Sequence, residues 1–377
     1  MAAKQIIIIC GEASGDLNAG ALARAIKEIN PAVKISGVGG KFLQASGTEL
    51  FYDIKGLCVM GLFDVLKKLP LFFSLKKIIL QKIKQEKPDA IILVDFSGFN
   101  LRLSKVINKS LPVIYYVSPQ VWASRPGRIK TIAKYIDKMI VLFKFEEEFY
   151  RKHGINANFT GHPLLDIVRP TMEKKDFFAE SGLSDKKTTI ALLPGSRQAE
   201  IKNIIPVMLK AAAIISKKIP DAQFIIAKTP QLNTQIYNKE IEKINLNLKI
   251  IEGKTYDCLN IADFCLVCSG TATLETAIMQ KPFAIVYRMG LLNYLLYRPQ
   301  VKVPYIGIVN IIADKLVVPE FIQFKAKAED IAAYALEILS NPATAEKIKN
   351  NLEEIKASLG SPGASMRAAK TILDFLK

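Results

Sequence analysis

The stretch TTIALLPGSRQAEIKNIIPVMLKAAAII, residues 188–215, decides the fold that we expect. It opens with the apolar run Ile190–Leu193, turns at Pro194–Ser196 and continues as a long amphipathic segment. This order of buried strand, glycine turn and helix is typical of a parallel sheet covered by helices. The N-terminal stretch QIIIICGEASGDLNAGALARAIKEI, residues 5–29, has the same order. Two such openings predict two α/β halves.

Further apolar runs predict the remaining strands of each half, and amphipathic segments such as Ser74–Glu86 predict the helices between them. The strand sequences are KISGVGG, DAIILVDF, PVIYYVS, DKMIVLF and NANFTGHP in the first half, and AQFIIAK, LKIIEGK, DFCLVCSG and FAIVYRM in the second. We therefore expect two doubly wound α/β domains, residues 1–168 and 186–355. A polar linker joins them, and a C-terminal helix, residues 356–377, could pack back on the N-terminal domain.

Composition excludes several classes of protein. Of 377 residues 50% are hydrophobic, and the formal charge of +17 calls for an anionic partner. The lysines are scattered and no nucleic-acid-binding signature occurs, so we expect no nucleic acid. No apolar run is long enough for a transmembrane helix, and residues 6–10 are too short for a signal peptide. We expect a cytoplasmic protein in which Cys265 and Cys268, despite their CxxC spacing, are buried thiols.

In the first half, two motifs place polar groups directly after predicted strands, where open α/β sheets bind ligands. The turn GEASGD carries Glu12, Ser14 and Asp16. It could approach a phosphate or sugar, or it could be a tight turn with Asp16 as the N-cap of the next helix. Asp95, in LVDFSGFN, ends an apolar strand. Its carboxylate could take a proton from a substrate hydroxyl or could brace a loop.

The second half also has two such motifs. In PGSR, the turn opens a helix whose N-terminus suits an anion, and Arg197 adds a fixed cation. In CSGTATLE, Ser269–Thr271 present hydroxyls at another helix start. Glu275 could accept both hydroxyls of a ribose, or could complement the helix dipole. The pair predicts a nucleoside diphosphate, held without a metal ion by Arg197, Arg288 and two helix N-termini.

The segment MGLFDVLKKLPLFF, residues 60–73, combines apolar side chains with flanking lysines. Such a segment favours reversible binding at an anionic membrane surface, and Pro70 predicts a break between a helix and a turn. The alternative is a core helix with a dimer contact. The predicted membrane or acyl-chain contacts are Met60, Leu62, Phe63, Leu66, Leu69, Phe72 and Phe73.

Taken in order, GEASGD, VMG, YYVSPQVWASR, GHP, LLPGSRQAEI, SGTATLE and YRM resemble the lipid-A-disaccharide synthase family. The resemblance runs from about Ile6 to Ile322. It implies a GT-B glycosyltransferase with two Rossmann-like domains facing across a cleft, and no cofactor. It also implies an inverting, metal-independent transfer of 2,3-diacylglucosamine from UDP-2,3-diacylglucosamine to 2,3-diacylglucosamine 1-phosphate (lipid X). The implied location is the cytoplasmic face of the inner membrane, with a possible homodimer.

The resemblance also implies roles for particular residues. Asp95 matches the proposed base, and Glu12, Ser14 and Asp16 match a loop that orients acceptor or pyrophosphate. Gly98 stands where the family often has a second carboxylate, which puts a mechanism needing both in doubt. A UDP-sugar epimerase and a non-catalytic nucleotide-binding peripheral membrane protein stay open as alternatives. The implied nucleotide-binding residues are Gly195, Ser196, Arg197, Ser269, Gly270, Thr271, Glu275, Arg288 and Asn310.

Overall fold

The computed structural model describes residues 4–55, 57, 69–107, 110–230, 232–301 and 303–377. The chain forms two compact units. The first comprises Met1–Asp166 and Leu359–Lys377, and the second comprises Ile167–Ser358. Residues 169–185, which the sequence pattern assigns to a linker, therefore belong to the second unit.

The first unit contains a seven-stranded parallel sheet. Its strands are β1 (Gln5–Ile9), β2 (Lys34–Gly39), β3 (Glu49–Asp53), β4 (Ala90–Val94), β5 (Val113–Tyr116), β6 (Lys138–Val141) and β7 (Ala157–Phe159). The strand order is β3-β2-β1-β4-β5-β6-β7. The sequence predicts every one of these strands except β3. That edge strand is only partly buried, so its sequence ELFYD lacks the continuous apolar run of a central parallel strand.

Helices cover this sheet. They are α1 (Ala13–Ile29), α2 (Lys41–Gln44), α3 (Leu69–Glu86), α4 (Ser97–Ile107), α5 (Ile129–Tyr135), α6 (Lys144–Lys152) and α7 (Leu164–Ile167). The N-cap of α1 is Glu12, so the prediction of Asp16 as N-cap is wrong. Helix α3 begins five residues before the predicted Ser74. Its described part includes Pro70, the residue at which the sequence pattern predicts a break between a helix and a turn.

The second unit contains a six-stranded parallel sheet. Its strands are β8 (Thr189–Leu193), β9 (Gln223–Lys228), β10 (Leu248–Glu252), β11 (Phe264–Cys268), β12 (Phe283–Tyr287) and β13 (Glu320–Ile322). They run in the order β10-β9-β8-β11-β12-β13. The short edge strand β13 is the one that the sequence pattern misses. On β11, Cys265 and Cys268 are buried free thiols, as predicted.

The helices of the second unit are α8 (Lys174–Ser181), α9 (Gln198–Lys218), α10 (Gln235–Ile241), α11 (Thr255–Ile261), α12 (Thr271–Ile278), α13 (Leu291–Tyr297), α14 (Ile308–Ala313), α15 (Ala328–Ser340) and α16 (Pro342–Ser358). The last helix, α17 (Ala364–Phe375), belongs to the first unit and packs against α1. None of the helices in the described ranges is long and apolar enough to cross a membrane.

Each sheet has one position where the chain order reverses. In the first unit this switch point lies between β1 and β4, and in the second it lies between β8 and β11. The crevice outside the carboxyl ends of the strands at a switch point is where open α/β sheets bind ligands. All four predicted motifs follow one of these four strands.

Candidate functional site

A pocket of about 340 Å³ lies at the switch point of the second unit, at the carboxyl ends of β8, β9 and β11. Strands β8 and β11 are direct neighbours, and both lead into helices at the same edge of the sheet. The two motifs that the sequence places far apart therefore line one cavity. Its lining includes Gly195, Ser196, Arg197, Ser269, Gly270, Thr271 and Glu275.

Three further polar residues line this pocket that sequence reasoning did not single out. They are Glu200, Thr229 and Thr255. Thr229 follows β9 directly, so the rule that selected the other motifs could have found it. Thr255 begins α11 three residues after β10 ends, so it also lies near the carboxyl edge of the sheet.

The turn Gly195–Arg197, which precedes α9, wraps closely around the Glu200 side chain. Gly195 has φ +110°, a conformation that favours glycine, and an added Cβ would lie 2.4 Å from Glu200 Oε2. Glu200 Oε2 accepts hydrogen bonds from the N–H groups of Ser196 (3.0 Å) and Arg197 (3.2 Å). The Arg197 guanidinium donates to Glu200 Oε1 at 2.9 Å. In this structure Glu200 thus occupies the donors of the turn.

The turn Ser269–Thr271, at the start of α12, is more open. Gly270 is the N-cap of α12 with φ +151°, and a Cβ added there would meet no atom within 4 Å. In the same pocket, the Glu275 carboxylate accepts a hydrogen bond from the Tyr256 hydroxyl at 3.0 Å. Burial raises the pKa of Glu275. The open space at Gly270 and the half-buried Glu275 carboxyl in the same pocket suit a polar ligand with hydroxyl groups.

Arg288 and Asn310, the two other predicted nucleotide-binding residues, do not line this pocket. The Arg288 guanidinium donates to the carbonyl oxygens of Gln323 and Ala326, at 3.3 and 2.6 Å. The Asn310 side chain is fully buried and bonds at both ends to residues 317–320. Both side chains brace the segment around β13 in this structure.

Asp95 lies at the switch point of the first unit, immediately after β4. Asp95 and Phe96 have φ of +48° and +47°, a strained conformation for residues with a side chain. The Asp95 carbonyl oxygen accepts hydrogen bonds from the Tyr115 hydroxyl and from Asn100 Nδ2 (2.9 Å). These bonds fix the backbone that carries the carboxyl group. Burial, with a contribution from the charge of Glu12, raises the pKa of Asp95 to about 6.

The GEASGD turn adjoins Asp95, and its residues serve different purposes. Glu12 is half-buried and Ser14 is exposed. Gly11 leaves room for the Phe96 ring, which an added Cβ would meet at 2.3 Å. Asp16 is 3% exposed. Its carboxylate accepts hydrogen bonds from the N–H groups of residues 40, 42 and 43, at 2.7, 3.0 and 3.1 Å, so it holds the start of α2.

The loop after β5, which carries the sequence SPQVWASR, is anchored by a buried carboxylate that the sequence reasoning missed. Glu146 Oε1 accepts hydrogen bonds from Ser118 Oγ (2.7 Å) and Trp122 Nε1 (3.1 Å). Its Oε2 accepts from the N–H groups of Leu142 and Phe143, both at 3.3 Å. Burial raises the pKa of Glu146 to about 6. This carboxylate therefore ties the loop to α6.

Three of the predicted membrane contacts lie within the described residues; Met60, Leu62, Phe63 and Leu66 lie outside them. Phe72 packs on Phe96 and Phe99, with ring centroids 5.9 and 6.0 Å apart. Leu69 is half-buried, whereas Phe73 is 63% exposed on α3. Across the described part of the chain, no group of three or more His, Cys, Asp or Glu side chains is placed to hold a metal ion.

Solved structures with the same fold include glycosyltransferases and epimerases. The UDP-GlcNAc 2-epimerase from Neisseria meningitidis, bound to UDP-GlcNAc, is 15% identical with a TM-score of 0.65, covering 98% of this chain and 100% of that one. The kitacinnamycin glycotransferase is 13% identical with a TM-score of 0.66, covering 100% of both chains. With two parallel-sheet α/β units, this likeness confirms the predicted GT-B fold.

Sequence comparison identifies the family. The chain is 40% identical over 379 residues to a lipid-A-disaccharide synthase of Syntrophus aciditrophicus, covering 100% of this chain and 99% of that protein. It is 37% identical over 373 residues to the synthase of Geobacter sulfurreducens, covering 99% and 97%. A family model described as lipid-A-disaccharide synthetase matches residues 6–372. The resemblance predicted from the motifs is confirmed, and the chain belongs to the lipid-A-disaccharide synthetase family of glycosyltransferases.

Proposed function

We propose that this enzyme transfers 2,3-diacylglucosamine from UDP-2,3-diacylglucosamine to 2,3-diacylglucosamine 1-phosphate. The products are the β-1,6-linked disaccharide 1-phosphate and UDP. The observation that carries the proposal is the near full-length identity of 40% to a protein named lipid-A-disaccharide synthase. The epimerase alternative is not favoured, because the epimerase structure is only 15% identical and shares no more than the fold.

In this proposal the pocket of the second unit binds the UDP part of the donor. The turns before α9 and α12 would hold the diphosphate through backbone N–H groups and the Arg197 guanidinium. Glu275 would accept the ribose hydroxyls. Charge would build up on the diphosphate as it leaves, and fixed donors at a helix N-terminus stabilise such charge without reorganising.

Asp95 would act as the general base. Its carboxylate would take the proton of the acceptor 6-hydroxyl while that oxygen attacks the anomeric carbon of the donor. The bond from the anomeric carbon to the diphosphate oxygen breaks, and UDP leaves with the electron pair. Attack opposite the leaving group inverts the anomeric configuration. A pKa near 6 keeps Asp95 ionised at neutral pH while leaving it a stronger base than an ordinary aspartate.

Binding of UDP in the presence of EDTA, measured by calorimetry, tests the nucleotide site. We expect UDP to bind without metal and Arg197→Ala to weaken binding about ten- to hundredfold, because a charge-assisted hydrogen bond is lost. Lys210→Ala, an exposed position on the same helix, is the control and should bind UDP normally. Binding that needs added Mg²⁺ would contradict the proposal, as would failure of a radiolabelled assay to yield disaccharide from both acylated substrates.

The acylated substrates also lead us to propose contact with an anionic membrane surface through the outer face of α3. Phe73 is exposed there with Lys76 Nζ 5.6 Å from its ring centroid, while Leu75 and Ile79 on the other face are buried. Insertion of an aromatic side chain into the membrane interface favours binding, and so does attraction between a lysine and anionic lipid headgroups.

Sedimentation with vesicles of anionic phospholipid tests this surface. We expect Phe73→Ser to weaken binding about tenfold or more, because burying a phenylalanine contributes about 1.5–3 kcal/mol. Val106→Ser is a matched control, since Val106 is an exposed apolar residue of the same unit, 46% accessible, on α4. Equal losses in the two variants would argue against a specific role for α3.

A further inference from the structure

Glu200 holds a position that conflicts with the ligand proposed for its pocket. Its carboxylate accepts three hydrogen bonds, from two backbone N–H groups and one guanidinium N–H of the turn Gly195–Arg197. The same groups are the donors that a diphosphate would require. A carboxylate and a phosphate cannot share them, because both are anions and like charges at such close range repel.

The charge balance of the pocket strengthens this conflict. Among the described residues of its lining, Arg197 is the only lysine or arginine, whereas Glu200 and Glu275 are both carboxylic acids. Arg197 is already paired with Glu200. With the Glu200 carboxylate in place, the cavity offers a diphosphate no unopposed positive charge.

The fit around Glu200 is close. Only 13% of the Glu200 side chain is exposed. The backbone at Gly195 can lie this close to the Glu200 carboxylate because glycine lacks a Cβ. The carboxylate is nonetheless attached to the first turn of α9 by a flexible side chain with three rotatable bonds. A rotation of that side chain would vacate the turn without moving the backbone.

We propose that Glu200 is an internal competitor of the diphosphate. It occupies the anion site in the free enzyme, rotates away when the UDP donor binds, and returns as UDP leaves. This inference rests on the function proposed above and adds a role in nucleotide selection and product release. Competition by Glu200 lowers the affinity only of ligands that must displace the carboxylate. It therefore weakens the binding of UDP and leaves the binding of uridine, which has no phosphate, unchanged.

Calorimetry with UDP and uridine on the full chain tests the competition. We expect Glu200→Gln to bind UDP about tenfold more tightly than the wild type, equivalent to about 1.4 kcal/mol, with uridine unchanged. The amide keeps the shape and one acceptor for the turn, and it removes the charge that opposes phosphate. In the transferase assay, the same variant should be inhibited by UDP at lower concentrations.

Two further variants complete this experiment. Glu346→Gln removes an equal charge from an exposed position outside the pocket and should leave UDP affinity unchanged. Glu200→Ala tests the competition without an amide, with its thermal unfolding measured alongside. UDP affinity that is unchanged or weaker in both Glu200 variants would overturn the inference and would mean that Glu200 positions Arg197. A wild type that binds no UDP would instead overturn the proposed nucleotide site itself, together with this inference.

Discussion

Replacing Asp95 by asparagine should lower the rate of disaccharide formation about 10²- to 10⁴-fold, the usual contribution of a positioned general base. Asparagine has the same shape but cannot take the proton of the acceptor hydroxyl. The Asp95 backbone is held by Tyr115 and Asn100 through its carbonyl oxygen, which the substitution leaves in place. We therefore expect kcat to fall while the affinity for UDP, which the second unit would bind, stays constant.

Asp89→Asn is the matched control for this substitution. Asp89 lies just before β4, is exposed and accepts a hydrogen bond from the Gln5 N–H, a bond that asparagine can still accept. Its kcat should equal that of the wild type. Undiminished transfer by Asp95→Asn would show that Asp95 is not the base.

The pH profile gives a second test of the same residue. The base must be ionised, so kcat should rise as pH increases through about 6 and then level off. The charge of Glu12 contributes to the raised pKa of Asp95. Glu12→Gln should therefore move the rising part of the kcat profile to lower pH. If the rising part of the profile stays in place or moves to higher pH in this variant, Asp95 is not the group that titrates.

Replacing Glu146 by leucine should destabilise the first unit by about 3–5 kcal/mol. Leucine removes the acceptor of four hydrogen bonds, three of them buried, and each buried donor left without a partner costs about 1–3 kcal/mol, part of which relaxation or water recovers. Ser118 and Trp122 would lose the contacts that hold the loop SPQVWASR. We expect transfer activity to fall with stability, since this loop follows β5, the neighbour of β4.

Intrinsic fluorescence reports directly on this change, because Trp122 is the only tryptophan of the chain. Its emission should shift to the red at a lower urea concentration in Glu146→Leu than in the wild type. Glu148→Leu, at an exposed position on the same helix, should leave the transition unchanged. The transition of Glu146→Gln should fall between those of Glu146→Leu and the wild type. A transition in Glu146→Leu that matches the wild type would argue against the anchoring role of this carboxylate.

Several features of the site could be predicted from sequence because they are local. Each of the motifs GEASGD, LVDFSGFN, PGSR and CSGTATLE directly follows an apolar run, and the carboxyl edge of a parallel sheet is where such residues meet. Seven predicted residues from two of these motifs line one pocket. Their role in binding UDP stays a prediction, as do the roles of Asp95 and the GEASGD residues.

Other features could not be predicted because their partners are distant in sequence. Asp16 lies in the first turn of α1, as a local rule would allow, yet it bonds to N–H groups 24 to 27 residues away. Glu146 reads as a helical surface residue in KFEEEFYRK and is buried against a loop 28 residues earlier. Arg288 and Asn310 fit an anion site by type, but both are engaged by the segment around β13.

The amino-acid sequence by itself determined the α/β class, two sheet-and-helix repeats, eleven of the thirteen strands in the described ranges and the turns that line the pocket of the second unit. These follow from the periodicity of apolar residues and from glycine turns, which act over a few residues. Only the tertiary structure decided which distant donors the buried carboxylates of Asp16 and Glu146 meet, 24 to 28 residues away along the chain. Such partners are chosen by the packing of elements far apart in the chain, and no local periodicity encodes the distances between them.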